Sequence, residues 1–376
     1  MLNRYRIALA ILLAAPVFGA DKTLPSSQGL TAHEWGTFTS VAGSSGEALS
    51  WVPLNGSSDL PCFVHRMGPS IVKALSFALE RMETPVVYFY TAKKSAVSLR
   101  ADLPSGLITE WYPQAASAPN TGRGGGSIEW NMELMPGSTP DLPMTTPNDH
   151  YFAARETDAV PLRASGEAEK MLFYRGVASF ASPLAAQFMD NGQLELRPRS
   201  AAIGFAMLFD NRGGKTGYRI IRDLHASQRV DMPELSSDSA AVRRELAQAL
   251  TQAGLYEKEA AAMVATWKDA WFEEGTRLFY LTPRSVVDEV LPLHIAPTPQ
   301  AIERVFVGRI ELLPQYRKQI LSEAIAKTDK GVLDQFGRFY SPFIQMMNAK
   351  PALETQQYMN AKNAEAVRKA MLGCGK

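Results

Sequence analysis

Residues Val86–Tyr112 read VVYFYTAKKSAVSLRADLPSGLITEWY, and this stretch sets the fold class of the first half of the chain. Val86-Val87-Tyr88-Phe89-Tyr90 is a run of β-branched and aromatic side chains, whereas Val97, Leu99, Ala101 and Leu103 alternate with Ser98, Arg100 and Asp102. A period of two puts every second side chain on one face of a pleated strand, so both segments read as β. Pro104-Ser105-Gly106 is a turn into Ile108–Tyr112, and Ser127–Leu134 continues the series beyond a glycine-rich loop at residues 122–126. The expectation is an antiparallel meander or sandwich. Ser70–Met82 breaks the series with Ile71, Leu75, Leu79 and Met82 at helical spacing behind Pro69, which predicts one short helix on the sheet.

Proline placement carries the division further along the chain. Eight of the 24 prolines fall between Pro104 and Pro161, but only Pro233 lies between Arg199 and Thr282. Proline fixes φ and lacks a backbone donor, so turns and edge strands belong to the first region and long regular elements to the second. A second β segment begins near Lys170 with Met171-Leu172-Phe173-Tyr174 and contains the hairpin signal Asp190-Asn191-Gly192. Ile203–Phe209 and Tyr218–Ile221 then flank a turn at residues 211–214. Val242, Leu246, Ala249, Leu250 and Ala253 share a helical face after Asp238, a candidate cap, and Tyr256, Ala260, Met263, Val264, Trp267 and Trp271 share another before Gly275. These two segments form an αα-hairpin. Arg277–Leu281 and Arg304–Leu312 read as strands around a short helix at Pro283–Leu291, and helices with a break near Gly331 or Gly337 follow Pro314. The class is α+β, divided as a signal segment at 1–20, a β-rich portion at 21–160, a second β portion at 161–232 and a mainly helical portion with two strands at 233–376.

The chain has 376 residues, 39 Lys plus Arg, 38 Asp plus Glu, 46% apolar residues and two cysteines. Balanced charge argues against nucleic-acid binding through phosphates, and the apolar content argues against disorder. Arg4 and Arg6 precede an apolar run from Ile7 to Ala15 and then Pro16-Val17-Phe18-Gly19-Ala20, the order of a secretory signal cleaved after Gly19 or Ala20. The apolar run is far short of the ~20 residues a spanning helix needs, so the expectation is a mature chain without a transmembrane segment, periplasmic or secreted. An oxidising destination makes Cys62 and Cys374 a candidate disulfide, with a chain-entropy ceiling of roughly 5 kcal/mol for so long a loop.

Candidate chemistry rests on carboxylates, aromatics and histidines. Glu34-Trp35, Glu110-Trp111-Tyr112 and Glu129-Trp130 pair a carboxylate with an aromatic ring, the components of a sugar-binding surface and of glycoside hydrolysis. Neighbours on a strand face opposite ways, so each Trp is expected to enter the core while its Glu meets water; Glu110 and Tyr112 share a face. Glu273 and Glu274 end the Trp271 helix, where they oppose the macrodipole, and Arg277 is placed to neutralise one of them unless the pair faces a cleft. These considerations make Glu110, Glu273 and Glu274 the catalytic candidates and Trp111, Tyr112, Trp130 and Arg277 the binding candidates. None of the histidines has a short-range partner at metal-ligand spacing, so the only candidate metal set is assembled from distant segments: His33, Glu34, His65 and His150. The sequence assigns no identity to any cofactor, which is left as unknown.

Ser70-Ile71-Val72-Lys73 and Lys215-Thr216-Gly217 resemble the S-x-x-K and K-T-G elements of the penicillin-recognising enzymes, which implies a minor alternative of Ser–Lys acyl transfer. Their third element, Ser-x-Asn or Tyr-x-Asn, is absent between residues 74 and 214. The leading functional expectation is a non-catalytic envelope or extracellular protein that binds a glycan or another envelope component. The alternative is an envelope-directed hydrolase working through carboxylates, with or without a metal.

Overall fold

The computed structural model describes residues 29–51, 60–67, 79–117, 119, 125–146 and 149–372. The signal segment, the Ser70–Lys73 pattern and Cys374 therefore lie outside the described residues. Along the chain, β1 (Thr31–Val41), β2 (His65–Arg66), β3 (Glu80–Tyr90), β4 (Ser95–Leu103), β5 (Gly106–Tyr112) and β6 (Gly126–Leu134) come first. Next come β7 (Leu162–Ala164), β8 (Glu167–Glu169), β9 (Leu172–Ala178), β10 (Leu184–Phe188), β11 (Leu194–Pro198), β12 (Ile203–Arg212), β13 (Lys215–Leu224) and β14 (Gln228–Val230). The helices α1 (Ser239–Gln252), α2 (Glu257–Thr266) and α3 (Lys268–Trp271) lead to β15 (Gly275–Thr282), α4 (Arg284–Val290), β16 (Leu293–Ala296) and β17 (Ala301–Leu312). α5 (Gln315–Lys327), α6 (Lys330–Asp334), α7 (Tyr340–Met346) and α8 (Leu353–Leu372) complete the described chain.

The class is α+β, and its centre is a nine-stranded sheet in the order β13-β12-β15-β17-β1-β3-β9-β5-β2. β1 pairs in parallel with β17 and antiparallel with β3, so strands from both halves of the chain share one sheet. One face packs on α1, α2 and α3 through Trp35, Tyr88, Phe209, Phe279, Trp267 and Trp271. The other face carries a five-stranded sheet, β16-β4-β6-β7-β8, and a three-stranded one, β10-β11-β14. α5 to α8 gather at one end of the central sheet around Val41, Trp51 and Leu313.

Of the expected meander or sandwich, the layering is a sandwich. All eleven residues of β3 are buried, as its continuous apolar run requires of a strand covered on both faces. β4 and β6 bury only alternate residues, as befits an outer sheet with one solvated face, and they pair with each other. From β3 to β6 consecutive strands thus alternate between layers, whereas β6–β7–β8, β10–β11 and β12–β13 pair in sequence. The helix expected over Ser70–Met82 falls mostly outside the described residues, and its last residues, Glu80–Met82, open β3. The αα-hairpin is α1 and α2, with the Asp238 carboxylate accepting from the Ala241 N–H at 2.5 Å.

Candidate ligand-binding cleft

A belt of charge crosses the helix-facing side of the central sheet. Thr39 on β1 stands opposite Arg309 on β17 and Arg81 on β3, and Arg277 on β15 stands opposite Glu311 on β17. Side chains two apart on a strand share a face, so Arg81 and Glu83 form one same-face pair and Arg309 and Glu311 another. The Glu311 carboxylate accepts from Arg277 (3.1 and 3.0 Å) and from Arg309 (3.2 and 2.9 Å). Burial alone would raise the Glu311 pKa, but Arg277 and Arg309 outweigh it and hold the group below the ordinary carboxylate range. Glu83 accepts from Thr39 Oγ1 at 2.5 Å and Arg338 Nη1 at 2.6 Å, and lies 3.4 Å from Arg81 Nε. Its burial is likewise outweighed by Arg338 and Arg81, which keep it well below its ordinary value.

Helix ends and the C-terminal segment build the walls above this floor. Arg277, itself fully buried, donates to the carbonyls of Trp271, Glu273 and Glu274 at 2.8, 2.7 and 3.1 Å. The guanidinium thereby meets the negative end of the α3 segment, which offsets the dipole cost expected from two terminal carboxylates. The Glu273 and Glu274 side chains find other partners. Glu273 accepts from Arg309 at 2.9 Å, and Glu274 accepts from Arg317 at 3.3 Å and from the Gly213 N–H at 2.7 Å. Arg338 and Arg317 reach in from the Gly337–Phe339 turn and α5 and stack on Phe339 and Phe336. Asp334 and Lys362 close the rim with a 3.0 Å ion pair. The result is a cleft of about 410 Å³ lined by Arg81, Glu83, Trp267, Glu273, Glu274, Arg317, Arg338 and Phe339, among others. That volume is within the roughly 300–1,000 Å³ of small-molecule sites.

The residues singled out from sequence are distributed unevenly about this cleft. Glu273 and Glu274 line it, as does His150. Glu110 is on the same face of the sheet, where its charge acts on Arg81, but it is not on the cleft wall. Trp111, Tyr112, Trp130 and Arg277 are all buried, which removes them as an exposed platform: Trp130 donates to the Pro113 carbonyl at 2.8 Å, and the others fill the two cores or cap α3. Glu34 also departs from expectation, since it is buried against Arg304 at 2.6 Å instead of meeting water.

The proposed metal set is dispersed. His33 Nδ1 bonds the Glu259 carboxylate on α2 at 2.8 Å, while Glu34 faces the opposite side of the sheet. His65 bonds Glu167 at 3.0 Å, and His150 lies 5.2 Å from the Trp267 ring. Among the described residues no group of three or more His, Cys, Asp or Glu is placed to hold a metal ion. Lys215 and Thr216 begin β13, and Lys215 is exposed.

The charged belt was not read from sequence, although a signal for it exists. Arg81-Met82-Glu83 and Arg309-Ile310-Glu311 each place two opposite charges on one face of a strand, the pattern of a same-face ion pair. Compared with protein-family models and with curated proteins, the chain matches none.

Proposed function

We propose that the protein is an exported, non-catalytic binding protein that takes a small polar ligand, a glycan fragment or another envelope component, in the cleft above the charged belt. The observation that carries this proposal is the engagement of the carboxylates. Glu83, Glu273, Glu274 and Glu311 are each bonded to at least one guanidinium, so each is committed to an ion pair. A general acid must carry and release a proton, so this arrangement favours binding over carboxylate-based hydrolysis. The aromatic faces of Phe336 and Phe339 are covered by Arg317 and Arg338, so recognition falls to hydrogen bonds and not to a stacking platform.

The export half of the proposal is supported by the charge, apolar run and small residues of the first twenty positions. It includes a Cys62–Cys374 bridge, with Cys62 exposed in the turn ahead of β2. Among the described residues no helix is long and apolar enough to cross a membrane.

Titration calorimetry of the purified chain with cell-wall oligosaccharides tests the function, alongside assay of the same mixtures for released product. Binding without product, abolished by Ala270→Trp in the cleft lining, is the expected result. Product release that disappears in Glu273→Gln would instead establish the hydrolase.

A further inference from the structure

The lining of the cleft contains a guanidinium with an open side. Arg317 stands in the first turn of α5, is only 5% exposed and lines the cleft. Among the described residues its one hydrogen bond runs from Nη1 to Glu274 at 3.3 Å, and the guanidinium lies over the Phe336 ring, 4.5 Å from its centroid. Nε and Nη2 make no bond, and unlike Arg243 Nε and Arg309 Nη1 they are not sealed from solvent. The opening that Arg317 faces is the cleft.

Other arginines around the cleft have their paired edges committed. Arg277 and Arg309 each turn Nε and Nη2 to Glu311, and Arg338 turns Nη1 and Nη2 to Glu83. The Nε–Nη2 edge of a guanidinium carries two parallel N–H groups that match the two oxygens of a carboxylate. On Arg317 that edge is open, and the Phe336 ring fixes its plane.

Two further features favour a negative group beside it. A cation in the first turn of a helix opposes the macrodipole, and α5 begins at Pro314 without a side-chain cap. A nearly buried charge held by one long hydrogen bond is also poorly compensated. An anion at the open edge relieves both. Glu274 is already bonded to Arg317 and Glu273 precedes it in the lining, so the single charge of a carboxylate fits better than a phosphate dianion.

We infer that Arg317 is the anchor for the ligand, its Nε–Nη2 edge taking the carboxylate of an acidic sugar or of a peptide end. This rests on the cleft being the ligand site. Charge-assisted bidentate bonds are the strong class, and the low-dielectric surroundings of Arg317 strengthen them further.

The test is calorimetric titration of the full chain with glucuronate, glucuronamide, alanyl-alanine, alanyl-alaninamide and inorganic phosphate, alongside the cell-wall oligosaccharides. At least one of the two acids is expected to bind tenfold or more tightly than its amide, and which one does so identifies the source of the carboxylate. Arg317→Lys keeps a cation beside Glu274 and removes the two-pronged edge. It should weaken the preferred acid about tenfold or more, from the worth of hydrogen bonds to a charged group, and leave the amide unchanged. Gln335→Glu, an exposed change in the lining next to Phe336, adds repulsion and should also weaken the acid selectively, which keeps the test decisive should the lysine variant not fold. Acids bound no better than their amides overturn the anchor, as does a preference that survives both substitutions. Phosphate bound more tightly than either acid overturns the carboxylate assignment. Oligosaccharide binding that is lost in Ala270→Trp, with neither acid preferred, refutes the anchor and leaves the cleft as the ligand site; if nothing binds, both fail together.

Discussion

Glu80 shows what a single buried charge costs when burial outweighs pairing. Its side chain is 1% exposed, and its Oε1 has no partner among the described residues. Burial pushes its pKa up from 4.5 to about 8, and a hydrogen bond from Ser40 only partly opposes this. The folded state therefore holds a proton that the unfolded state has released, so stability is full below about pH 4.5 and falls as the pH rises toward 8. Glu80→Gln removes the penalty. Its melting temperature should match the parent at pH 4.5 and exceed it increasingly up to pH 8, with a ceiling of about 5 kcal/mol at roughly 1.4 kcal/mol per pKa unit. Melting curves at intervals of pH check this, and parallel curves for the two proteins would refute it. Glu83 has the opposite sign: its depressed pKa stabilises the fold above about pH 4.5 and the contribution is lost as the pH falls through the folded value. Glu83→Gln leaves Arg81 and Arg338 facing each other and should cost about 3–5 kcal/mol at neutral pH in urea unfolding. Neither glutamate was legible as a strand residue, since Glu80 falls in the helix expected over Ser70–Met82 and Glu83 lies ahead of the expected strand at Val86. Their partners come from elsewhere in the fold, and a single sequence does not show which arginine will stand opposite.

Elements were legible in proportion to how local their cause is. The αα-hairpin follows from a 3.6-residue period and a capping Asp238, all within forty positions, and it is present, with its second helix broken at Trp267 so that Trp271 lies on the separate α3. Of β1, Glu34-Trp35 alone was legible as strand neighbours, because the polar His33, Glu34, Thr37, Thr39 and Ser40 hide the bounds Thr31–Val41, yet all eleven residues are buried. Its polar side chains are tolerated because Glu259, Arg304 and Glu83 receive three of them. The β1–β17 pairing joins residues 270 apart, as between Glu34 and Arg304, and no local pattern announces such a partner. Gly308 on β17 is a testable consequence of this central packing. A Cβ there would come 2.0 Å from the Tyr280 ring, which is held by a 2.9 Å hydrogen bond to Ser182 and cannot swing aside freely. Gly308→Ala should therefore destabilise by roughly 1–3 kcal/mol, as overpacking does. Gly204→Ala on β12, with open space around its Cβ, is the matched control and should be nearly neutral in the same denaturant series.

At the scale of the whole molecule, the cleft exists because segments far apart in the chain meet at one end of the central sheet. β3 and β17 supply the floor, the α3 corner supplies Glu273 and Glu274, and α5 to α8 supply the outer wall. The outer wall is the lightly held part. On α8, Thr355 and Met359 are the buried side chains among those described, and the surface contacts of Tyr358 and Lys362 with Asp334 add little. In a Cys62→Ser background, which takes the proposed bridge to Cys374 out of the comparison, ending the chain at Lys350 should cost about 2–4 kcal/mol, from one buried Met and the Thr355 hydrogen bonds to Ile325 and Thr328. The nine-stranded sheet and its two cores share none of those contacts, so calorimetry should still record cooperative unfolding, shifted down by a few degrees, with strand content unchanged by circular dichroism. Ligand affinity should fall much further than stability, because Met359, Lys362 and Asn363 leave the cleft wall and the floor opens to water, which weakens every charge-assisted contact there. A truncated chain that binds as well as the parent would mean that the site does not use this wall, and one that fails to fold would mean that α8 is integral to the core and not a cover laid over it.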